Sequence, residues 1–259
     1  MVSPWQKQWN NLIKREAAYL KRSVEKKVST INNMLEEKVP PKLQGTLNIA
    51  FVKAFKLIFE KGTKIIEKTY QRENVQRQFK VNRYAVDLKE NRKSLRQFSK
   101  QASKTGRKNL LISGLEGIGL GALGIGLPDI ALFTGMLLKS IYEISLHYGY
   151  DYEQEVEKYF ILHLIQTSLS HDEELTTGNQ MLNEFIENYQ LPLGYSQDTQ
   201  IEQTATVLSN ELLYMKFLQG LPVIGIIGGA YNPIYLQKVQ KYAKLKYERR
   251  FLHDYKGKM

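Results

Sequence analysis

The chain has 259 residues, 42% of them hydrophobic, which is typical of a folded protein with one large core or two small ones. The absence of cysteine excludes disulfide bonds, thiolate nucleophiles and cysteine-based zinc sites. The net charge is +11, and it is unevenly distributed. Residues 68–108 hold 13 basic and 3 acidic residues, whereas residues 109–219 hold 3 basic and 15 acidic ones. This asymmetry favours an anionic partner, either acidic lipid or nucleic acid.

Residues 1–40 are predicted to form an amphipathic, basic N-terminal helix. Pro4 opens it, apolar residues recur every three or four positions from Trp5 onward, and Val39-Pro40-Pro41 ends it. Its start has no apolar core of the kind that a secretory signal peptide needs.

Two interpretations of this first helix stay open. An amphipathic helix usually docks its apolar stripe on the protein's own core. Alternatively, it lies in a membrane interface, with Trp5 and Trp9 at the head-group level and Lys14 and Lys21 toward acidic lipid.

The next predicted elements are a helix from about Leu43 to Tyr70 and a basic, mostly helix-favouring segment over residues 68–108. A basic segment is usually a solvated face, and its charge also supports nucleic-acid binding. It has no recognised nucleic-acid-binding motif, so we rank this function below membrane binding. Its apolar residues predict an interrupted buried seam of Val75, Phe79, Leu88, Leu95, Phe98 and Ala102.

The stretch from Asn109 to Leu138 has six glycines between Gly114 and Gly126 and a break at Pro128. Glycine weakens an exposed helix, so this stretch needs a closely packed neighbour. Each half is too short or too polar to span a bilayer easily, which predicts a buried helical hairpin rather than membrane insertion. Gly119, Gly121 and Gly124 match the GxGxxG pattern, but no strand precedes them, so they predict a packing surface.

The C-terminal part predicts further helices over about 152–170, 181–189, 201–218 and 233–252, and a second Gly-rich segment over 220–229. With almost no period-2 alternation, the chain is predicted to be an all-α, multi-helix bundle with two Gly-rich helical hairpin segments. The residues of the last helix that we expect to contact a membrane or partner are Lys238, Lys241, Tyr242, Arg249 and Arg250.

A polar cluster is predicted beside the Gly-rich stretch. Glu143 and His147 are four residues apart on one helix face, and Glu116 and Asp129 lie in or beside the hairpin. Such a cluster suits acid–base or metal-assisted chemistry, and the other nearby histidines could join it if their helix packs alongside. Without HExxH or similar spacing, we predict no metal, no cofactor and no assigned catalytic residue. Glu116 and Asp129 more simply accept hydrogen bonds from backbone amides at the helix breaks.

Two blocks of the sequence resemble the EcsC protein family of bacteria. The first is Glu116-Gly117 with the Gly-rich run, Leu127-Pro128-Asp129 and the helix ending in Tyr148-Gly149-Tyr150-Asp151. The second runs from Leu221 to Asn232 and continues through the basic aromatic helix to Leu252. Together they place the family core at 109–252 and predict one helical domain over 1–259.

The family takes its name from an operon that also encodes an ABC transporter, and it has no established biochemical activity. The resemblance therefore implies a cytoplasmic protein at the inner face of the cell membrane. We expect a non-enzymatic accessory that binds anionic lipid or an ABC transporter component. The alternatives are a Glu/Asp/His enzyme and a nucleic-acid-binding protein. The oligomeric state stays open.

Overall fold

The computed structural model describes residues 2–24, 41–104, 128–218 and 233–256. Within these ranges the chain is an all-α bundle without β-strands, as predicted. Both predicted Gly-rich hairpins lie largely outside them. The helices are α1 (Pro4–Val24), α2 (Pro41–Leu57), a π-helical turn (Ile58–Gly62), α3 (Thr63–Glu67), α4 (Arg72–Leu88), α5 (Arg92–Ala102), α6 (Pro128–His147), α7 (Glu155–Leu169), α8 (Asp172–Asn188), α9 (Gln197–Leu218) and α10 (Pro233–Lys256).

The centre of the bundle is formed by α10, which packs against both α6 and α7. From Ile130 to His147, nearly every side chain of α6 is buried, including the charged Lys139 and Glu143, because helices pack on it from several sides. The outer helices cover this centre: α2 and α4 pack on α6, α8 and α9 pack on α7, and α1 packs on α10. None of the helices in the described ranges combines the length and apolar composition needed to cross a bilayer.

A buried ion pair joins α7 to α10. Arg250 Nη1 lies 2.6 Å from Glu157 Oε2, and both side chains are almost fully excluded from solvent. Tyr247 donates a hydrogen bond to the other carboxylate oxygen of Glu157. Burial raises the pKa of Glu157, while the Arg250 guanidinium and the Tyr247 hydroxyl oppose this effect.

Aromatic rings surround the Arg250 guanidinium. Its central carbon lies 3.9 Å from the Tyr150 ring centroid, 4.5 Å from that of Tyr189 and 5.0 Å from that of Phe160. The Tyr189 hydroxyl also accepts a hydrogen bond from Arg250. Stacking against aromatic faces stabilises a guanidinium that has lost its water.

The Tyr148-Gly149-Tyr150 motif ends α6 with a Schellman turn. The Tyr150 N–H donates to the Ser145 carbonyl and the Gly149 N–H to that of Leu146. Gly149 has φ +86°, and a Cβ there would lie 2.3 Å from the Phe79 ring of α4. Glycine is therefore required both by the backbone conformation and by the close approach of α4.

Two differences from the sequence prediction concern element bounds, and one predicted element is described only in part. The predicted helix from Leu43 to Tyr70 is interrupted at Ile58–Gly62, where the Thr63 N–H donates to the Ile58 carbonyl in π-helical register. The N-terminal helix is described only to Val24, and residues 25–40 of the predicted element lie outside the described ranges. The helix predicted over residues 181–189 is longer, because α8 already begins at Asp172.

We expect Arg250→Met to lower the free energy of unfolding by about 3–5 kcal/mol, because it leaves the Glu157 carboxylate buried without its counter-ion. Urea denaturation measures this change. Lys241→Met, on the exposed face of the same helix, is the matched control and should change stability by no more than about 0.5 kcal/mol. A loss below about 1 kcal/mol for Arg250→Met would show that the pair does not stabilise the fold.

We expect Gly149→Ala to destabilise the protein more than Gly194→Ala. Both glycines have positive φ, but only at Gly149 would the new methyl group overlap a ring. Strain alone costs about 1 kcal/mol, and the overlap adds about 1–3 kcal/mol. Thermal denaturation of the two variants isolates the packing cost, and equal melting temperatures would contradict it.

Candidate anion-binding groove

Half of the predicted polar cluster lies within the described residues. Glu143 and His147 lie one turn apart on α6, and both are buried. Glu143 Oε1 is 3.4 Å from Lys139 Nζ, so this carboxylate has a counter-ion on its own helix. Glu116 and the side chain of Asp129 lie outside the described residues. The acid–base hypothesis therefore stays a prediction.

His147 sits in a desolvated position. Its Nδ1 has no hydrogen-bond partner among the described residues. Burial lowers its pKa to about 4, and the positive charge of Lys244 contributes to the shift. The imidazole is accordingly neutral at physiological pH, which suits a core residue.

The other two histidines considered for a metal or acid–base cluster point to different partners. His163 Nε2 lies 3.2 Å from the Gly178 carbonyl oxygen, and His171 Nε2 lies 2.6 Å from Glu211 Oε1. These contacts tie α7 to α8 and the loop before α8 to α9. Among the residues that the structure describes, no three His, Asp or Glu side chains are grouped as metal ligands.

Three of the nine residues predicted to face a membrane or partner are instead buried in the bundle. Trp5 donates its indole N–H to the Leu252 carbonyl at 2.9 Å, and the Tyr242 hydroxyl donates to Asn179 Oδ1 at 2.9 Å. Arg250 forms the ion pair with Glu157. These three side chains face the protein's own core, because α10 is enclosed on several sides.

The other six predicted residues are at least partly accessible. Trp9 stacks on Trp5, and the Arg249 guanidinium lies 5.2 Å from the Trp9 ring centroid. Arg249 also pairs with Glu16 at 2.6 Å, so its charge is neutralised locally. The remaining four are the lysines Lys14, Lys21, Lys238 and Lys241, and Lys238 is the most shielded of them.

The surface between α1 and α5 carries several cations that have no ion-pair partner among the described residues. A groove of about 1070 Å³ runs between α1 and α5 and along the turn after α5. Arg15 at its edge pairs with Glu248, whereas the five cations contributed by α5 and its turn are exposed and form no ion pair with a described residue. The groove is lined by Gln8, Asn11, Arg15, Arg92, Lys93, Arg96, Gln97, Ser99, Lys100, Ser103 and Lys104.

The pattern of α5 explains why its cations point outward. Leu95, Phe98 and Ala102 recur at three- and four-residue spacing and are buried, as predicted. Phe98 packs 4.2 Å from the Phe251 ring centroid of α10. Anchoring this face on the core turns the opposite face, which carries Lys93, Arg96 and Lys100, toward solvent.

A capping box fixes the start of α5. The side chain of Asn91 accepts hydrogen bonds from the backbone N–H groups of Lys93 and Ser94, and Ser94 Oγ accepts one from the Asn91 N–H. This cap satisfies amides that would otherwise bind water. The first two cations of the groove, Arg92 and Lys93, therefore lie in a well-defined first turn of α5.

The floor of the groove is polar. Gln8 Nε2 donates to Glu248 Oε1 at 2.7 Å, and Arg15 Nη2 lies 2.7 Å from Glu248 Oε2. Gln8 is only 3% exposed, and its Oε1 has no hydrogen-bond partner among the described residues. The ligand-accessible charge of the groove therefore comes from the cations along its α5 wall, which suit a phosphate group.

The sequence shows the excess of basic residues over 68–108, but it does not predict a groove between α1 and α5. The signal that was available is the alternation in α5 of buried apolar and exposed cationic positions. The contribution of α1 depends on which face of that helix docks on α10, which is a tertiary contact.

An all-helical protein with an exposed, cation-lined groove is the class that this fold and surface define. The model of the EcsC protein family matches residues 6–252, so this chain belongs to the EcsC protein family. A curated relative, Protein EcsC of Bacillus subtilis (strain 168), is 28% identical over 167 residues, which cover 63% of this chain and 68% of the relative. No solved structure matches the chain.

We expect His147 to make the protein less stable as the pH falls from about 6.5 toward 4. In this window the unfolded chain binds a proton at residue 147 and the folded protein does not, so unfolding is favoured by up to about 3 kcal/mol. His147→Gln, which cannot be protonated, should show a shallower decline in urea denaturation between pH 7 and 4.5. His253→Gln, at the accessible end of α10, serves as the control. Parallel curves for His147→Gln and the wild type would contradict the assignment.

Proposed function

We propose that this EcsC-family protein is a non-enzymatic, peripheral membrane protein whose groove between α1 and α5 binds the phosphate head groups of anionic lipid. The observation that carries the proposal is the row of five exposed cations, none in an ion pair with a described residue, on one wall of the groove. Each Lys or Arg near an anionic bilayer contributes about 1 kcal/mol of attraction.

The composition of the groove favours lipid over nucleic acid. Proteins that bind single-stranded nucleic acid combine a cationic track with aromatic side chains on which bases stack. Among the described residues that line this groove, none is aromatic. Duplex DNA, which is bound mainly through its phosphates, is therefore the nucleic acid to compare in the test.

The surroundings of Glu143 and His147 favour a structural role over catalysis. Glu143 lies beside Lys139, and His147 is buried and neutral. A general acid or base has to reach a substrate within hydrogen-bonding distance. The groove, in contrast, is open to solvent, and the described side chains that line it are cations and neutral polar groups suited to binding an anion.

Two finer parts of the proposal rest on the family resemblance. One is the location at the cytoplasmic face of the cell membrane, and the other is an ABC transporter component as a protein partner. A groove that holds lipid head groups would keep the protein at the bilayer surface, where such a partner is found.

The test is cosedimentation with vesicles of phosphatidylglycerol and phosphatidylcholine, with pure phosphatidylcholine as the neutral comparison. We expect binding to the anionic vesicles that weakens with salt. The triple variant Lys93→Gln, Lys100→Gln, Lys104→Gln should bind them roughly 100-fold more weakly, from the loss of three contributions of about 1 kcal/mol each.

The matched control replaces three exposed lysines elsewhere, Lys42→Gln, Lys61→Gln and Lys64→Gln, and removes the same net charge. We expect this control to retain most of the affinity. Equal losses in the two triple variants would mean that only net charge matters and would contradict a site. Tighter binding to duplex DNA than to anionic vesicles would replace lipid by nucleic acid as the partner.

A further inference from the structure

The outer face of α4 exposes a row of large apolar side chains. Val81, Tyr84 and Leu88 are 62%, 65% and 68% exposed, respectively. Spacings of three and four residues place them side by side along one face of the helix. Single exposed apolar residues are common, but a contiguous row marks an interaction surface. Leu88 was predicted to belong to the buried seam, and that prediction is wrong.

The exposure follows from how α4 packs. The helix uses Asn82 and Val86 as its buried positions, with Phe79 half-buried against the core. Phe79 lies against Gly149 and 5.8 Å from the Phe98 ring centroid. Since a helix on the outside of a bundle buries one face, the row on the opposite face points to solvent.

Positive charge surrounds this row. Arg77 lies one turn before Val81 on the same face, Lys80 adjoins it, and both are exposed. The cations of α5 begin with Arg92, four residues after Leu88, and α5 packs beside α4.

The acidic residues nearby do not offset this charge. Asp87 pairs with Arg83 at 3.1 Å, and the single charge of Glu90, whose carboxylate accepts a hydrogen bond from the Trp5 backbone, is outnumbered by those of Arg77, Lys80 and Arg92. Glu73 is exposed, but it lies in the first turn of α4, at the far end from the row.

We propose that the outer face of α4 is a membrane-insertion surface, and that Val81, Tyr84 and Leu88 enter the boundary between head groups and acyl chains of an anionic bilayer. This inference rests on the proposed function, since the α5 cations of the groove hold the phosphates beside it. The occupant follows from charge complementarity: an apolar row flanked by cations matches a surface that is anionic outside and apolar beneath.

The insertion surface has a consequence that a purely electrostatic site lacks. Salt at 0.5 M screens charges beyond a few ångströms, whereas apolar contact with acyl chains persists. Binding should therefore have a salt-resistant component that depends on the α4 row, together with a salt-sensitive component that depends on the groove lysines.

The experiment compares vesicle binding by Val81→Ser, Tyr84→Ser, Leu88→Ser with the wild type at 0.1 M and 0.5 M NaCl. We expect the triple variant to lose roughly tenfold or more of its affinity at 0.5 M salt. The matched control is Ile49→Ser, Met181→Ser, Leu193→Ser, which alters three exposed apolar residues on other parts of the surface and should retain binding.

A second measurement reports insertion directly. In Tyr84→Trp, the new indole should be quenched by lipids brominated on the acyl chains, while Ile49→Trp should not be quenched above the background of Trp5 and Trp9. Because Tyr84 is on the surface, this variant keeps the fold intact and separates insertion from stability.

The outcomes distinguish this inference from the proposed function. If the wild-type protein fails to bind anionic vesicles at either salt concentration, the proposed function fails and the insertion surface with it. If the wild type binds and the α4 triple variant binds equally at both salt concentrations, the inference alone is overturned. It is also overturned if the row proves to hold two copies together, which would appear as a dimer in sedimentation that the triple variant loses, without quenching of Tyr84→Trp.

Discussion

The ion pair between Glu157 and Arg250 is the interaction on which the arrangement of the bundle depends. A charge without solvent is tolerated only when a counter-ion and further hydrogen bonds replace the lost water. Here the carboxylate comes from α7, the guanidinium from α10, and the rings that enclose the guanidinium from neighbouring segments. These elements therefore have to assemble together, and α10 is held in the centre of the protein rather than at its surface.

The central position of α10 determines which of the excess basic residues remain accessible to a partner at the surface. Lys246 is fully buried between Glu16 and Asn183, and burial lowers its pKa to about 8. Arg249 also pairs with Glu16, so Lys246, Arg249 and Arg250 of the last helix join α10 to α1 and α7. The surplus of residues 68–108 has few such partners among the described residues. The positive charges of this segment therefore give a positive electrostatic potential to the surface of α4 and α5, where the groove and the apolar row lie.

The same packing connects a family motif to this surface. Gly149 is part of the block by which the sequence resembles the EcsC family, and its lack of a side chain lets the Phe79 ring of α4 approach the end of α6. This approach buries one side of α4 and so exposes the opposite side, with Tyr84 in its middle. A residue that looks like a simple helix terminator thus sets the orientation of α4, the helix for which we propose membrane insertion.

The sequence by itself determined the all-α class, the family and the buried face of α5, as Leu95 and Phe98 show, because these follow from composition, motif and local periodicity. Only the tertiary structure decided which cationic and aromatic residues are surface residues. Arg250 and Lys93 look alike in the sequence, yet one is enclosed by rings and the other lines an open groove. The physical reason is that the location of a charge depends on whether a distant carboxylate such as Glu157 packs beside it, and helical periodicity carries no information about contacts between helices far apart in the chain.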